Sequence, residues 1–227
     1  MTTPVVIAID GPGASGKGTL ARRLAAHLGY VYLDTGAMYR AVALQLLRSG
    51  ADPADPAAAL RAAQNLDTGL LDDPQLRTDR VGAAASRVAA YDDVRQALMV
   101  FQRGFATNPP GNAPGAVLDG RDIGTIICPE AQVKLFVTAS PEARARRRYL
   151  ELQARGEAAT EADVLASLQT RDDRDRTRAA APLRPALDAH LLDTTNLAID
   201  DAFAVALAAI SGKLAPGAIC GQIEPDG

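Results

Sequence analysis

The stretch VVIAIDGPGASGKGT, residues 5–19, joins an apolar run to a glycine-rich loop and the start of a helix. Val5 to Asp10 is short and rich in β-branched residues, as a buried strand requires. Gly11, Pro12, Gly13, Ala14, Ser15, Gly16, Lys17, Gly18 and Thr19 follow, and an amphipathic segment from Thr19 to Leu28 stops at Gly29. This is the spacing of a phosphate loop with a strand before it and a helix after it. Glycines let successive N–H groups turn inward around phosphate oxygens, and the helix N-terminus adds a positive dipole end. Lys17 supplies a compact charge for the β- and γ-phosphates. Gly18 stands where Ser or Thr is usual, so the hydroxyl that would meet Mg²⁺ moves to Thr19, with magnesium held through water.

Outward from this stretch the chain alternates strands and helices. Strands are expected at Tyr30–Asp34, Ala116–Asp119, Val133–Ala139 and Leu191–Thr195. Thr35 is expected to cap a helix that runs to Ser49 and ends at Gly50. An alanine-rich helix follows Pro53 and Pro56, and a loop spans Asn65–Arg77. Helices come next at Thr78–Ala90 and Asp92–Thr107, then the loop NPPGNAPG, Asn108–Gly115. Ser140 and Pro141 open a helix in cap-then-proline order, and Gly156 closes it. A helix from Thr160 is ended by AAAPLRP, Ala179–Pro185, and the last runs from Asp200 to Lys213. The pattern predicts an α/β fold with a doubly wound parallel sheet of about five strands. Its core falls at about 1–50, 115–155 and 186–213, with a strandless helical side lobe at about 51–114 and a lid at about 156–185. Residues 214–227 have no pattern and read as a loose tail.

Composition narrows the class. The 227 residues are 48% hydrophobic and 22% charged, with a net charge of −3. A general binder of nucleic-acid polymers is normally basic, so any anion site here is local. Cys128 and Cys220 are far apart and outside CxxC spacing, which implies neither a disulfide framework nor structural zinc. No signal peptide or membrane-length apolar run is seen, so the expected compartment is the cytoplasm. Basic residues are nearly all arginine, the lysines being Lys17, Lys134 and Lys213.

Three further motifs carry chemistry. DTGAMYR, Asp34–Arg40, falls after the second strand, where an open α/β sheet presents its ligand crevice. DGRDIGT, Asp119–Thr125, falls after the third. There Asp119 can orient magnesium or its waters, and Arg121 can fork onto phosphate. Asp122 needs a donor to be desolvated, and cytosine N4 is one that a carboxylate accepts well. The competing reading of DGRDIGT is a polar turn closed by an internal Arg–Asp pair. TRDDRDRTR, Thr170–Arg178, holds four arginines and three aspartates in nine residues. On a helix Arg171, Arg174, Asp175 and Arg178 share one side, with Asp172, Asp173 and Arg176 on the other. Guanidiniums converging on one face call for a polyanion, since like charges one turn apart repel.

Taken in order, the GKGT phosphate loop, DTGAMYR, DGRDIGT and RDDRDRTRAAAPL resemble the bacterial cytidylate kinase family over nearly the whole chain to about residue 213. The resemblance implies a phosphate-loop nucleoside-monophosphate kinase fold with a helical acceptor lobe and an arginine-rich lid. It implies transfer of the γ-phosphoryl group of ATP to CMP or dCMP with Mg²⁺, in pyrimidine nucleotide metabolism. Gly11 to Thr19 would bind ATP. Thr35, Arg95 and Asp122 would line the cytosine pocket with Arg178 nearby. Arg40, Arg121 and Arg171 would hold phosphate, and Ser86 and Asp175 would face the sugar. Lys17, Arg121, Arg171 and Arg174 would carry catalysis, with Thr19 and Asp119 reaching magnesium through water. Two features depart from the family. Thr35 often has serine in its place, and Asn65–Arg77 is too short for the usual insertion with its small antiparallel sheet.

The acceptor phosphate is already an anion near neutral pH, because its second pKa is about 6. No general base is required, and His27 and His190 lie in no motif. The lid face of Arg171, Arg174 and Arg178, with Asp175, is expected to close over two nucleotides and neutralise the charge in flight. Arg144, Arg146, Arg147 and Arg148 are expected to form a solvated face with one or two phosphate contacts. Tyr30, Tyr32, Phe101 and Phe136 are expected in the core. The expected partners are ATP and CMP or dCMP, with neither nucleic-acid polymer nor membrane, and nothing demands more than a monomer. Kinases for AMP, UMP or shikimate are the nearest competing reading, and Asp122 discriminates against UMP, which has a carbonyl where CMP has an amine. A GTP-dependent switch would need an NKxD element, which the sequence does not contain.

Overall fold

The computed structural model describes residues 3–214. Five strands form one parallel sheet: β1 (Val5–Asp10), β2 (Val31–Asp34), β3 (Gly115–Gly120), β4 (Val133–Thr138) and β5 (His190–Asp193). Their spatial order is β2-β3-β1-β4-β5. Eight helices connect them: α1 (Lys17–Leu28), α2 (Thr35–Ser49), α3 (Pro56–Gln64), α4 (Asp79–Val88), α5 (Asp92–Thr107), α6 (Pro141–Ala154), α7 (Glu161–Thr177) and α8 (Ile199–Ser211).

Alternation along β1 sorts the core onto two faces. Ile7 and Ile9 pack with Leu20, Leu24 and Leu28 of α1 and with Ala206 and Ile210 of α8. Ala8 faces the other way, into a cluster built from α2, α3, α4 and α5. Each fully buried leucine contributes roughly 1.5–3 kcal/mol. A third, small cluster of Ala145, Leu152, Val164 and Leu168 joins α6 to α7.

Strand register sets the site. Asp34 lies opposite Asp119, Asp10 opposite Gly120 and Phe136, and Thr138 opposite Asp193. The carboxyl ends of β1, β2 and β3 therefore finish within one residue of each other, β4 and β5 run two residues further, and the order reverses around central β1, which is where such sheets bind ligands.

Several expectations need correction. Asp34, not Thr35, caps α2: its Oδ1 accepts from Ala37 N at 3.0 Å. Thr35 is the first helical residue, and its hydroxyl donates to the Asp119 carbonyl at 2.7 Å, because β2 and β3 end side by side. Residues 65–77 are not a plain loop. They form two 3₁₀ turns, Thr68–Asp72 and Pro74–Arg77, in which Asp67 and Asp73 accept from N–H groups two residues on. Helix α6 ends at Ala154 with Arg155 as its cap, and Gly156 turns the chain beyond it with φ 72°. Phe101 is exposed on the outer face of α5, not in the core. Tyr30 is buried, whereas Tyr32 and Phe136 are half-buried. The tail expected at 214–227, apart from Leu214, and Cys220 lie outside the described residues.

Candidate active site

Phosphate-loop geometry follows from two glycines. Gly11 leaves β1 with φ 152°, and a Cβ there would lie 2.0 Å from the Val137 carbonyl oxygen, so no other residue fits. Gly16, in the left-handed region with φ 85°, turns the loop into α1. The loop's carbonyls are held from behind. Arg144 Nη1 donates to the Gly13 carbonyl at 3.2 Å, and Thr194 Oγ1 donates to the Ser15 carbonyl at 2.9 Å. Arg147 grips Thr194 in turn through its carbonyl and its hydroxyl. These bonds fix the carbonyls of Gly13 and Ser15.

Lys17 stands at the mouth with its Nζ 3.4 Å from the Pro12 carbonyl. Burial and then repulsion from Arg121 push it down to about 7, against the attraction of Asp119 and Asp34. Asp119, at the end of β3, accepts from the Tyr32 hydroxyl at 3.0 Å. Burial, then the charge on Asp34, pushes its carboxyl up to about 6. A Cβ on Gly18 would come within 3.0 Å of Asp119 Oδ2. The absence of a hydroxyl after Lys17 is thus matched by an acid occupying the adjoining space. Thr19 is exposed on the first turn of α1.

Opposite the loop, three guanidiniums arrive from three elements: Arg40 from α2, Arg121 from the end of β3 and Arg171 from α7. Arg121 Nε donates to Asp175 Oδ2 at 2.8 Å, and its Nη2 comes within 3.8 Å of where a side chain on Gly13 would begin. The competing reading of an Arg–Asp pair internal to DGRDIGT is thereby replaced by a pair that spans to α7. Arg171 is pushed down to about 9 by burial and then by repulsion from Arg121 and Arg40, and its buried Nε has no hydrogen-bond partner. Such a concentration of positive charge calls for an anion.

Deeper still, Asp122 is buried between two arginines. Arg95 Nη2 donates to its Oδ2, and Arg178 Nη2 lies 3.6 Å from its Oδ1 without a hydrogen bond. Tyr39 lies beneath the Arg95 guanidinium, 5.7 Å from its ring centroid. The wide turn Ile123–Ile127 that follows is anchored by Asp10, whose two oxygens accept from Ile123 N and Gly124 N at 2.8 Å each. Burial pushes the Asp10 carboxyl up to about 7 despite these bonds. Arg174 Nη1 donates to Ser86 Oγ at 2.8 Å, joining α7 to α4.

Hydrogen bonds, ion pairs and mutual charge thus link Lys17, Thr35, Arg40, Arg95, Asp119, Arg121, Asp122, Arg171, Asp175 and Arg178 around the ends of β2 and β3, and Arg174 with Ser86 joins α7 to α4. One expectation about α6 fails. Arg144 is 1% exposed and pairs with Asp172 at 2.6 Å, so it belongs to no solvated face. Asp172, on the side of α7 away from the arginine face, is buried because α6 packs there. Arg146 is exposed as expected, while Arg148 pairs with Asp79 and Glu151. Sequence reasoning did not find Asp10, Tyr32 or Thr194. Asp10 was legible as an acid ending a buried strand, but the other two carry no local signal.

A family model described as cytidylate kinase matches residues 7–211. The chain belongs to the cytidylate kinase family. A cytidylate kinase of Rhodopseudomonas palustris is 59% identical over 206 residues, covering 91% of this chain and 95% of that one. Another, of Paramagnetospirillum magneticum, is 60% identical over 208 residues, covering 92% and 98%. Among solved structures, an uncharacterized protein from Eubacterium ventriosum aligns with a TM-score of 0.52 at 13% identity, over 91% of this chain and 98% of that one. This last likeness speaks to the fold alone, while the cytidylate kinase relatives carry the family.

Proposed function

We propose that this chain transfers the γ-phosphoryl group of ATP to CMP or dCMP, giving ADP and CDP or dCDP. The observation that carries the reading is the convergence of Arg40, Arg121 and Arg171, with an unpartnered Arg171 Nε, between a phosphate loop and the buried Asp122. The family membership supplies the substrate class.

On this reading Gly11 to Thr19 cradle the triphosphate with their N–H groups, and Lys17 follows the β- and γ-phosphates. Arg40, Arg121 and Arg171 bind the acceptor phosphate and, with Arg174, neutralise charge on the phosphoryl group in flight. Asp122 accepts from the cytosine N4 amine, held in place by Arg95 and Arg178. Thr35 closes the base pocket, and Ser86 and Asp175 face the sugar. The acceptor phosphate is its own nucleophile, so the residues align and neutralise without removing a proton. The positive charge needed on the phosphate oxygens beyond what the arginines supply would come from Mg²⁺ bound with ATP. Asp119, close to the start of α1 at Gly18, and exposed Thr19 would hold its waters. Residues 156–185 act as the lid and 51–114 as the acceptor lobe. The protein works as a cytoplasmic monomer on small nucleotides.

The test is ADP release measured with CMP, dCMP, UMP and AMP in turn, with and without Mg²⁺. Turnover confined to CMP and dCMP and dependent on Mg²⁺ is expected. Equal turnover of UMP overturns the role of Asp122.

A further inference from the structure

Arg144 makes contacts that stability does not explain. Its Nε donates to the Ala139 carbonyl at 3.1 Å, its Nη1 to Gly13 of the phosphate loop at 3.2 Å, and its Nη2 to Asp172 of α7 at 2.6 Å. The Arg144 and Asp172 side chains are only 2% and 4% exposed. Removing two charges from water costs about as much as their attraction returns, so an apolar pair of similar volume would serve the fold as well. What the ion pair adds is direction. A planar guanidinium bonds three elements at fixed angles, which neither lysine nor an apolar residue can do.

The elements so joined are the two halves of the site. Gly13 belongs to the loop that faces the donor phosphates. Asp172 lies between Arg171, aimed at the acceptor-phosphate cluster, and Asp175, bound to Arg121. Two residues further along α7, Arg174 bonds Ser86. Helix α7 therefore carries the acceptor guanidiniums on one side and meets the donor loop on the other, where Leu168 gives apolar contact beside Gly13 and Ala14 and Arg144 gives the directed polar link.

We propose that Arg144 is a positioning residue that couples the two substrates, passing occupancy of the phosphate loop to the acceptor arginines through Asp172. Closing the loop's N–H groups on phosphate turns the Gly13 peptide, and its carbonyl draws Arg144 and then α7 with it. The coupling is reciprocal, as any equilibrium coupling must be. This rests on the two-nucleotide reading of the site above.

The experiment is calorimetric binding of CMP with and without a saturating non-hydrolysable ATP analogue and Mg²⁺. In the wild type the analogue is expected to tighten CMP about fivefold or more. In the double variant Arg144→Met/Asp172→Leu, which fills the same space with apolar groups, that factor falls to one while near-ultraviolet dichroism remains native. Arg144→Lys, which keeps a charge beside Asp172 without the fork, is the second variant and also loses the factor. A purely structural role would weaken both ligands and leave the factor unchanged. A wild-type factor of one, or an unchanged factor in either folded variant, overturns the proposal. Should UMP or AMP bind where CMP does not, the substrate assignment fails, and the coupling is then measured with that monophosphate.

Discussion

Arg121 and Asp175 meet at 2.8 Å, joining the end of β3 to α7. Burial alone would raise Asp175, but Arg121 and Arg171 outweigh it and hold the carboxyl below its usual range. The pair thereby aims Arg121 at the crevice while part of its charge remains available to phosphate. Replacing Arg121 with methionine is expected to lower kcat/KM for CMP by about 10³-fold or more, the scale of a lost transition-state arginine. Steady-state kinetics with ATP saturating measures this. A loss below about tenfold would remove Arg121 from the transferring group.

Asp122 is expected to act on specificity and stability together. Asp122→Ala leaves Arg95 and Arg178 buried beside an empty space. Breaking one side of such a buried pair costs about 3–5 kcal/mol. Denaturant titration should find that loss, and kinetics should find CMP turnover much reduced with ATP-analogue affinity nearly unchanged. An equal fall in both affinities would place Asp122 in the framework and not in the base pocket.

ATP binding should take up a proton. Lys17 sits at about 7 in the free protein because of burial and Arg121. A triphosphate favours the charged amine and raises that value. Above pH 7 the free protein lacks the proton that the complex holds, so affinity falls as pH rises, by up to about tenfold per unit. Calorimetry at pH 8 in buffers of different ionisation enthalpy should show uptake approaching about one proton. Lys17→Met should abolish it, and uptake persisting in that variant would assign the proton elsewhere.

Asp10 should make stability depend on pH in the opposite sense to a salt-bridged acid. Its carboxyl rises from an ordinary 3.8 to about 7, chiefly through burial. A raised folded value means stability fully present below the unfolded value and lost as pH climbs through the folded one. Between pH 4 and 7 the loss approaches about 4 kcal/mol, at about 1.4 kcal/mol per unit. Asp10→Asn should flatten that part of the wild-type curve in urea titrations. Parallel curves for the two proteins would show that Asp10 stays ionised throughout.

Much of the fold was legible because β1, the phosphate loop and α1 are contiguous and their patterns are strong. Strand ends were also legible, since DTGAMYR and DGRDIGT follow apolar runs. What the sequence concealed were relations set by packing between distant elements. Helical geometry turned Asp172 away from the arginine face, and nothing local says that α6 covers that side. Arg144 likewise looked like one of four equivalent arginines, yet it alone is sealed against both the loop and α7. The cap of α2 was misplaced by one residue because Asp34 and Thr35 are both good caps. Only the Thr35 hydroxyl's reach to β3 separates their roles.

The near-level finish of β1, β2 and β3 restricts where the gene can grow. One residue inserted within β1 or β3 would slide everything beyond it by about 3.3 Å and rotate it to the opposite surface. Asp10 would then miss Ile123, and Asp119 would lose Tyr32. Length variation among homologues should therefore collect in the segments between elements, such as residues 65–77, and spare the strands themselves.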